Sequence, residues 1–356
     1  MPLRALARVD AAAIGRNCAR LRDVAGTRLC AVVKADGYGH GAATAARAAR
    51  AAGAEWLAVA TAGEAAALRA AGDRGPLLVL GALSQAELPD ALRAGADVVA
   101  WRREFVERLP AGTGVHVKLD TGMGRLGTRD AEEALEVARL AAQRGRLAGA
   151  MTHFATSDDD PAFAREQLAR FESWLSGVRE LRPDVLAHAA NSAAALGIPE
   201  SRLDMVRCGI AIYGLDPFQR DPAAHGLEPA LSLHSYVAEV KPAAPGDSAG
   251  YGRRFVAERP TWLATVPIGY ADGVRRALTN NADVLIEGRR RPLVGAVSMD
   301  NITVELDAPV ERGAEAVLIG AQGRERILAE EWARRLDTIN YEVTCGISAR
   351  VPREVA

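Results

Sequence analysis

The chain has 356 residues, more than the roughly 250–300 at which one hydrophobic core stops growing, so we expect two domains. Its net charge is −1 and no long basic run occurs, which makes nucleic acid and anionic membranes poor candidates as partners. The four cysteines lack paired spacing, which favours a reduced compartment over a disulfide framework or a metal site. The N-terminus lacks the apolar core of a signal peptide, and no apolar run approaches the ~20 residues that cross a bilayer, so we expect a cytoplasmic protein.

Short apolar runs alternate with alanine-rich helical segments from about Leu29 to Tyr213. This alternation is typical of βαβ units and a parallel sheet. Eight units in this span predict an α/β fold of the (β/α)8 TIM-barrel type. A doubly wound sheet is disfavoured because the dinucleotide fingerprint is absent after the first strand. The predicted strands are Leu29–Val33, Trp56–Ala60, Leu77–Leu80, Val98–Ala100, Val115–Leu119, Leu147–Met151, Val185–His188 and Asp204–Arg207.

After about Leu231 the pattern changes to short β-type runs separated by turn residues, with one helix predicted around Leu328–Leu336. These runs predict a second, mainly antiparallel β domain. The opening run Leu6–Val9, which precedes a predicted helix N-cap at Asp10, is expected to pair with it. We therefore place the barrel at residues 10–230 and the β domain at 231–356 with 1–9. The β-type runs are Leu263–Ile268, Val284–Glu287, Leu293–Val297, Ile302–Leu306 and Val317–Ile319.

Lys34 follows the first barrel strand directly and precedes a glycine-dense turn. The ordinary pKa of a lysine is about 10.4, and only the neutral amine can attack a carbonyl. Burial and neighbouring cations lower such a pKa, and the end of a buried strand offers both. The alternative is a strand-end lysine that simply reaches for solvent.

Polar residues recur after the other predicted strands, where barrels of this type carry their active sites. The loops after the seventh and eighth strands offer a hydroxyl and a glycine backbone, which suit a phosphate. A lysine nucleophile and a phosphate cradle on one rim indicate pyridoxal phosphate, whose ring nitrogen also needs a partner. Arg207 is the candidate for that partner, because arginine stays protonated and donates a hydrogen bond. The polar residues on this rim are Lys118, Asp120, Arg125, His153, Asn191, Ser192, Arg207 and Gly209.

The chain resembles the alanine racemase family, the fold-type III pyridoxal-phosphate enzymes that interconvert L- and D-alanine. The resemblance covers nearly the whole chain, and its motifs occur in order. They are the segments 33–41 (VKADGYGHG), 118–127 (KLDTGMGRLG), 152–155 (THFA), 191–192 (NS), 206–214 (VRCGIAIYG), 250–252 (GYG), 267–273 (PIGYADG), 298–300 (SMD) and 340–342 (NYE).

The resemblance implies how the cofactor is held. Lys34 would form an imine with the cofactor and serve as one catalytic base, and Tyr251 would be the second base. Arg207 would face the ring nitrogen and His153 would line the cofactor. The residues that would hold the phosphate are Tyr38, Ser192, Gly209, Ile210 and Tyr341.

The resemblance also implies how the substrate and the partner subunit are arranged. Arg125 and the backbone of Met299 would contact the substrate carboxylate, with Tyr270 nearby. The family works as a head-to-tail homodimer, so each site would take Tyr251 and Met299 from the partner. Lys118 is often a carbamate in this family. The alternative is an ordinary lysine paired with Asp120.

Racemisation removes a proton from one face of the α-carbon and returns one to the other, which two bases on opposite faces accomplish. We therefore expect an alanine racemase that supplies D-alanine for peptidoglycan, with no metal. Three alternatives stay open: a racemase for serine or a longer amino acid, a pyridoxal-phosphate decarboxylase, and a non-catalytic protein that binds pyridoxal phosphate. The last is disfavoured because such barrel proteins lack a β domain that carries a second base.

Overall fold

The two halves of the chain differ in how their strands pair. The computed structural model describes residues 3–144 and 146–356. Ile14–Phe218 and His225–Leu227 form one compact unit, here called the barrel unit. The remaining segments, which reach Ala13 at the N-terminus and include Gln219–Ala224 and Glu228–Ala356, form the sheet unit.

The chain begins in the sheet unit with β1 (Leu6–Val9), followed by α1 (Ala11–Ala25). The Asp10 carboxylate accepts a hydrogen bond of 2.8 Å from the backbone N–H of Ala13. It therefore satisfies one of the N–H groups that the first turn of a helix leaves unpaired, and the predicted N-cap is confirmed.

The barrel unit contains eight parallel strands in the order β8-β7-β6-β5-β4-β3-β2-β9. Backbone N–H groups of Asp204 and Arg207 donate to the carbonyls of Ala187 (3.1 Å) and Ala190 (2.9 Å), which draws the two edges together and nearly closes the barrel. The predicted (β/α)8 fold is confirmed. The strands are Arg28–Val32 (β2), Trp56–Val59 (β3), Leu77–Val79 (β4), Asp97–Ala100 (β5), Gly114–Lys118 (β6), Arg146–Met151 (β7), Leu186–His188 (β8) and Met205–Cys208 (β9).

Helical segments follow the strands and pack through small alanine faces, as in α3, whose Ala45, Ala46 and Ala49 are buried. Small side chains allow the helix backbone to approach the strands closely. The segments are Lys34–Tyr38 (α2), Ala42–Ala51 (α3), Ala62–Ala70 (α4), Leu88–Arg93 (α5), Arg103–Arg108 (α6), Ala131–Arg144 (α7), Pro161–Leu181 (α8) and Ser192–Gly197 (α9). None of the helices that the structure describes combines the length and the apolar character needed to span a bilayer.

The sheet unit is mainly antiparallel, as its short β-type runs predict. β1 pairs antiparallel with β10 and parallel with β20, which confirms the predicted pairing of Leu6–Val9. The further elements are Leu231–Tyr236 (β10), Glu239–Ala243 (β11), Ser248–Ala249 (β12), Phe255–Val256 (β13), Thr261–Val266 (β14), Asp283–Ile286 (β15), Arg289–Val294 (β16), Ile302–Leu306 (β17), Glu315–Gln322 (β18), Glu325–Ile327 (β19), Ala329–Leu336 (α10), Asn340–Cys345 (α11) and Arg353–Val355 (β20).

Candidate active site

Lys34 lies at the carboxyl end of β2 and begins an unusual turn. Ala35, Asp36, Gly37 and Tyr38 all have φ between 51° and 62°, in the left-handed region. For residues with a Cβ this conformation costs about 1–2 kcal/mol each, so the surrounding structure must compensate for it. The glycine-dense turn expected from the sequence is thus a left-handed turn in which three of the four residues carry a side chain.

Hydrogen bonds from the neighbouring turn hold this backbone in place. Glu64 at the start of α4 accepts from the N–H of Ala35 (2.6 Å) and, through its other oxygen, from the N–H of Ala60 (2.8 Å). The Asp36 carboxylate accepts from the N–H of Ala42 (2.8 Å). Glu64 therefore positions the lysine turn, a role that its place in a capping box after Thr61 does not reveal.

The Tyr38 side chain packs closely against the loop after β9. A Cβ added at Gly209 would collide with the Tyr38 hydroxyl, so glycine there allows this close approach. The Ser192 hydroxyl oxygen accepts from the N–H groups of Gly209 (3.0 Å) and Ala211 (3.3 Å). The Ser192 hydroxyl also carries one O–H donor. Ile210 follows in a buried 3₁₀ turn.

Arg207 is buried at the carboxyl end of β9, where two of its nitrogens donate hydrogen bonds. Nη1 donates to Nδ1 of His188 (2.9 Å) and to the His188 carbonyl (2.7 Å). Nη2 donates to the carbonyls of Thr152 (2.8 Å) and Ala189 (2.9 Å) and approaches Nδ1 of His153 (3.2 Å). The guanidinium has five N–H donors, so these partners engage the four terminal ones. Within the described residues, Nε–H is the donor left for a ligand.

Cations surround His153 in the barrel unit. Burial, together with Arg207, Lys118, Arg125 and Lys34, holds the pKa of His153 well below its usual 6.5. The ring is therefore neutral at pH 7. Because Arg207 can only donate, Nδ1 of His153 is the accepting nitrogen and its proton lies on Nε2.

Lys118 lies buried at the end of β6, among the same cations. Burial, Arg207 and Arg125 lower its pKa to about 8, against the opposing effect of Asp120. Asp120 is held elsewhere: its carboxylate accepts from the N–H groups of Gly122, Met123 and Gly124 and pairs with Arg129. Burial alone would raise the pKa of Asp120, but these donors bring it below its usual value.

The loop that Asp120 organises carries Arg125, whose side chain is exposed. The charge of Arg125 contributes to the lowered pKa values of both Lys118 and His153. The barrel unit therefore gathers the predicted rim residues into one cationic site. The residues gathered are Lys34, Tyr38, Lys118, Arg125, His153, Ser192, Arg207, Gly209 and Ile210.

Three predicted site residues belong to the sheet unit and are exposed on it. Tyr251 is 71% exposed, Met299 51% and Tyr270 41%. Tyr341 is also in this unit, at the start of α11, and is half-buried.

Close backbone contacts hold the exposed residues of the sheet unit in place. The N–H of Tyr270 donates to the Ser298 carbonyl (3.0 Å), and the N–H of Ala271 to that of Met299 (3.1 Å). A side chain at Gly269 would collide with these same carbonyls. Gly250, which precedes Tyr251, has φ of 69°, and a Cβ added there would lie 3.1 Å from the backbone nitrogen of Ala296.

Three residues that contact the predicted site residues were not predicted to act there. Glu64 holds the lysine turn, and His188 and Thr152 accept hydrogen bonds from Arg207. His188 ends a predicted strand and Thr152 belongs to the motif at residues 152–155, so both positions could have identified them. Glu64 carries no such signal, because its partner in the lysine turn comes from another element.

Family models match both parts of the chain. "Alanine racemase, N-terminal domain" matches residues 9–217, and "Alanine racemase, C-terminal domain" matches residues 230–355. The chain belongs to the alanine racemase family. This confirms the family, the fold class and the racemase activity class expected from the sequence.

Individual relatives agree with this assignment. The chain is 44% identical to an alanine racemase of Symbiobacterium thermophilum, over 98% of this chain and 96% of the relative. It is 41% identical to that of Geobacillus stearothermophilus, over 98% and 92%. The solved alanine racemase of E. faecalis superposes with a TM-score of 0.93 at 38% identity, covering 99% of this chain and 98% of that one. A Bacillus anthracis alanine racemase with bound L-Ala-P gives a TM-score of 0.90 at 36% identity, covering 100% and 96%.

Proposed function

We propose that this protein interconverts L-alanine and D-alanine, using pyridoxal phosphate held at the rim of the barrel unit. Membership of the alanine racemase family and the gathering of Lys34, Arg207 and the Ser192–Gly209 cradle support this function. The observation that carries it is that the Lys34 amine, the Nε–H of Arg207 and the backbone at Gly209 lie on one rim of the barrel unit.

The rim residues fit this cofactor in size and charge. Glycine at position 209 lets the Tyr38 hydroxyl lie close to the backbone after β9, and the Ser192 hydroxyl there supplies a donor for a phosphate. We propose that Ile210 and Tyr341 complete the phosphate site. Arg207 would present its Nε–H to the ring nitrogen, and His153 would line the ring. Pyridoxal phosphate supplies an electron-withdrawing group that makes the α-proton of a bound amino acid acidic.

Arg207 also limits the chemistry. The Arg207 guanidinium would donate a hydrogen bond to the ring nitrogen and would disfavour its protonation, because arginine stays charged. Arg207 would thereby make the bound cofactor a weaker electron sink. This favours removal and return of a proton at the α-carbon over reactions that need a stronger electron sink.

Two bases serve the two faces of the α-carbon. We propose that the Lys34 amine takes or gives the proton on one face and the phenol oxygen of Tyr251 on the other. Tyr251 lies on the sheet unit at 71% exposure, as expected for a residue that acts on another subunit. The proposal therefore includes a head-to-tail homodimer, in which each site takes Tyr251 and Met299 from the partner.

The substrate carboxylate needs cationic and polar partners. We propose that Arg125 and the Met299 backbone bind it, with Tyr270 beside them. Lys118, whose pKa is lowered to about 8, is poised to become a carbamate that orients Arg125. As a carbamate Lys118 would attract Arg125, whereas as an ammonium it would repel it. We further propose that the protein is cytoplasmic and supplies D-alanine for peptidoglycan.

The lysine assignment is tested by borohydride reduction, which fixes the cofactor covalently to the lysine that holds it. The chain has three lysines, Lys34, Lys118 and Lys241, so peptide mapping gives a direct answer. We expect the label on Lys34 alone, and loss of visible absorbance and racemisation in Lys34→Ala. Lys241→Ala, at an exposed position, is the control and should behave as wild type. A label on Lys118 or Lys241 would overturn the assignment.

The second base is tested by Tyr251→Phe, which removes the phenol and keeps the ring. We expect proton abstraction from L-alanine to fall most, while cofactor binding is unchanged. An L-to-D rate equal to wild type would contradict the role. Chiral chromatography of products from several L-amino acids tests the substrate, since a preference for serine or release of carbon dioxide would refute alanine racemisation.

A further inference from the structure

A line of buried polar side chains crosses the barrel interior behind Arg207. Nη1 of Arg207 lies 2.9 Å from Nδ1 of His188, and Nε2 of His188 lies 2.8 Å from Nδ1 of His116. Nε2 of His116 lies 3.4 Å from the Asp97 carboxylate, which is ion-paired with Arg146. Arg207 and His188 are at the carboxyl ends of their strands, whereas Asp97 and Arg146 begin theirs. The line therefore runs from the candidate active site to the opposite end of the barrel.

The chemistry of its two ends determines where every proton lies. Arg207 can only donate, so Nδ1 of His188 accepts and its proton is on Nε2. That Nε2–H donates to His116 Nδ1, whose own proton is therefore also on Nε2. His116 Nε2–H then donates to the Asp97 carboxylate, which can only accept when ionised. All donations run in one direction, from the guanidinium to the carboxylate.

The strands are shaped to admit this line. A side chain at Gly149 of β7 would collide with the His116 ring, and one at Gly114 of β6 would collide with Asp97 and Arg146. A register shift between Val115 and His116 places His116 opposite Gly149. Glycine inside a strand weakens it and commonly marks a close approach, so two such glycines along one polar line indicate a built feature.

Arg207 is connected to a negatively charged group only through this line of hydrogen bonds within the described residues. Its hydrogen-bond acceptors within the described residues are carbonyl oxygens and imidazole nitrogens, and none is a carboxylate. The nearest negative charge along its hydrogen bonds is that of Asp97, two imidazoles away. Hydrogen bonds in series polarise one another, so Asp97 strengthens His188 as an acceptor.

We propose that Asp97, His116 and His188 form a positioning relay, in which the Asp97 carboxylate holds both imidazoles as Nε2–H tautomers and so keeps an acceptor facing Arg207. These three residues act through Arg207 and do not touch the substrate. The consequence for catalysis rests on the proposed function, because Arg207 is the proposed partner of the cofactor ring. The tautomers themselves do not depend on that function. An Asp97–Arg146 ion pair that merely joins strand ends is the competing explanation.

The decisive variant is Asp97→Asn in the cofactor-loaded protein labelled with ¹⁵N-histidine. Arg146 would take the amide oxygen, because it can only donate, and leave the amide N–H groups facing His116 Nε2–H. Two donors cannot bond, so the amide at position 97 and the guanidinium of Arg207 then favour opposite tautomers, and we expect the Nε2–H fraction of His116 and of His188 to fall. The ¹⁵N shifts separate protonated from unprotonated ring nitrogens, and His116→Gln and His188→Gln assign the signals among the six histidines.

Two matched variants separate the relay from the ion pair. Arg146→Met removes the ion pair but keeps the carboxylate, so both tautomers should persist. In Asp97→Asn/Arg146→Met the amide can rotate and offer its oxygen to His116, so the tautomers should return. The relay would be overturned if the tautomers were unchanged in Asp97→Asn, or if Arg146→Met changed them as much as Asp97→Asn does. It would also be overturned if the double variant did not restore them.

A third variant avoids the charged groups. Gly149→Ala should displace the His116 ring and disrupt its bond to His188 while the Asp97–Arg146 pair survives. If Asp97→Asn does not fold, Gly149→Ala tests the relay instead, because the relay predicts changed tautomers even though the Asp97–Arg146 pair is intact. Gly177→Ala, whose methyl would make ordinary contacts with Leu135, is the control. Where the tautomers change, we expect racemisation to fall by about tenfold or more. Changed tautomers without that loss would refute the catalytic consequence and leave the relay standing.

Discussion

Replacing Lys118 with methionine should stabilise the protein. Lys118 is buried at 4% exposure at the end of β6, with Arg207 and Arg125 acting on its charge. Burial and these two cations lower its pKa from 10.5 to about 8. Methionine keeps a similar length and removes the charge, so Lys118→Met should remove the free-energy cost of the buried ammonium.

The pKa sets the size of this cost. The pKa of Lys118 falls from 10.5 to about 8 on folding, so protonation of Lys118 destabilises the folded state by about 3 kcal/mol relative to the unfolded state. In a domain of this size we expect the midpoint of thermal unfolding to rise by about 5–10 °C in Lys118→Met.

The stability gained in Lys118→Met depends on pH. Below pH 8 both the folded and the unfolded lysine are protonated, and the whole cost is present. Between pH 8 and 10.5 only the unfolded state holds the proton, so the stability of the wild type rises with pH. The advantage of Lys118→Met should therefore be full at pH 7 and shrink steadily above pH 8.

The assay is calorimetric unfolding of the cofactor-loaded protein in buffer free of carbon dioxide. At pH 7 about one Lys118 amine in ten is neutral, against about one in three thousand for an ordinary lysine. That neutral fraction can react with carbon dioxide, and a carbamate carries no positive charge. Added bicarbonate should therefore stabilise the wild type and leave Lys118→Met unchanged, with a ¹³C carbamate signal only in the wild type.

Lys241→Met, at an exposed position on β11, is the matched control and should leave the unfolding midpoint unchanged. The reasoning is refuted if Lys118→Met gains no stability at pH 7, or if its gain grows above pH 9. A gain in Lys241→Met as large as that in Lys118→Met would also refute it.

Three further predictions concern the cradle, the lysine turn and the thiols. Gly209→Ala should weaken cofactor retention by about tenfold or more, because its methyl would collide with the Tyr38 hydroxyl, and absorbance after dialysis measures this. Ala35→Gly should raise the free energy of unfolding by up to about 1 kcal/mol, since glycine adopts φ of 52° without strain, and urea unfolding tests it. One thiol, that of the exposed Cys345, should react with a thiol reagent in the native protein and four after denaturation. Burial raises the pKa of the other three thiols, to about 12 for Cys18 and Cys30 and further for Cys208.

The sequence by itself determined the barrel strands and their order. Runs such as Val115–Leu119 and Leu147–Met151 are short, apolar and separated by alanine-rich helices, and the structure has strands at Gly114–Lys118 and Arg146–Met151. Local patterning suffices for these elements because burial on both faces selects apolar residues along the whole strand. It also located Lys34, since a lone lysine after such a run can only lie at the strand end.

Only the tertiary structure decided how the turn after Lys34 is built and what stands behind Arg207. Tyr38 adopts the left-handed conformation against its own preference, within a turn whose backbone is held in part by Glu64 of α4. Asp97, His116 and His188 come from three different strands and meet through strand register and barrel curvature. Neighbours along the chain carry no information about such contacts. Hydrogen bonds between distant elements overrule local preference only after the barrel has formed.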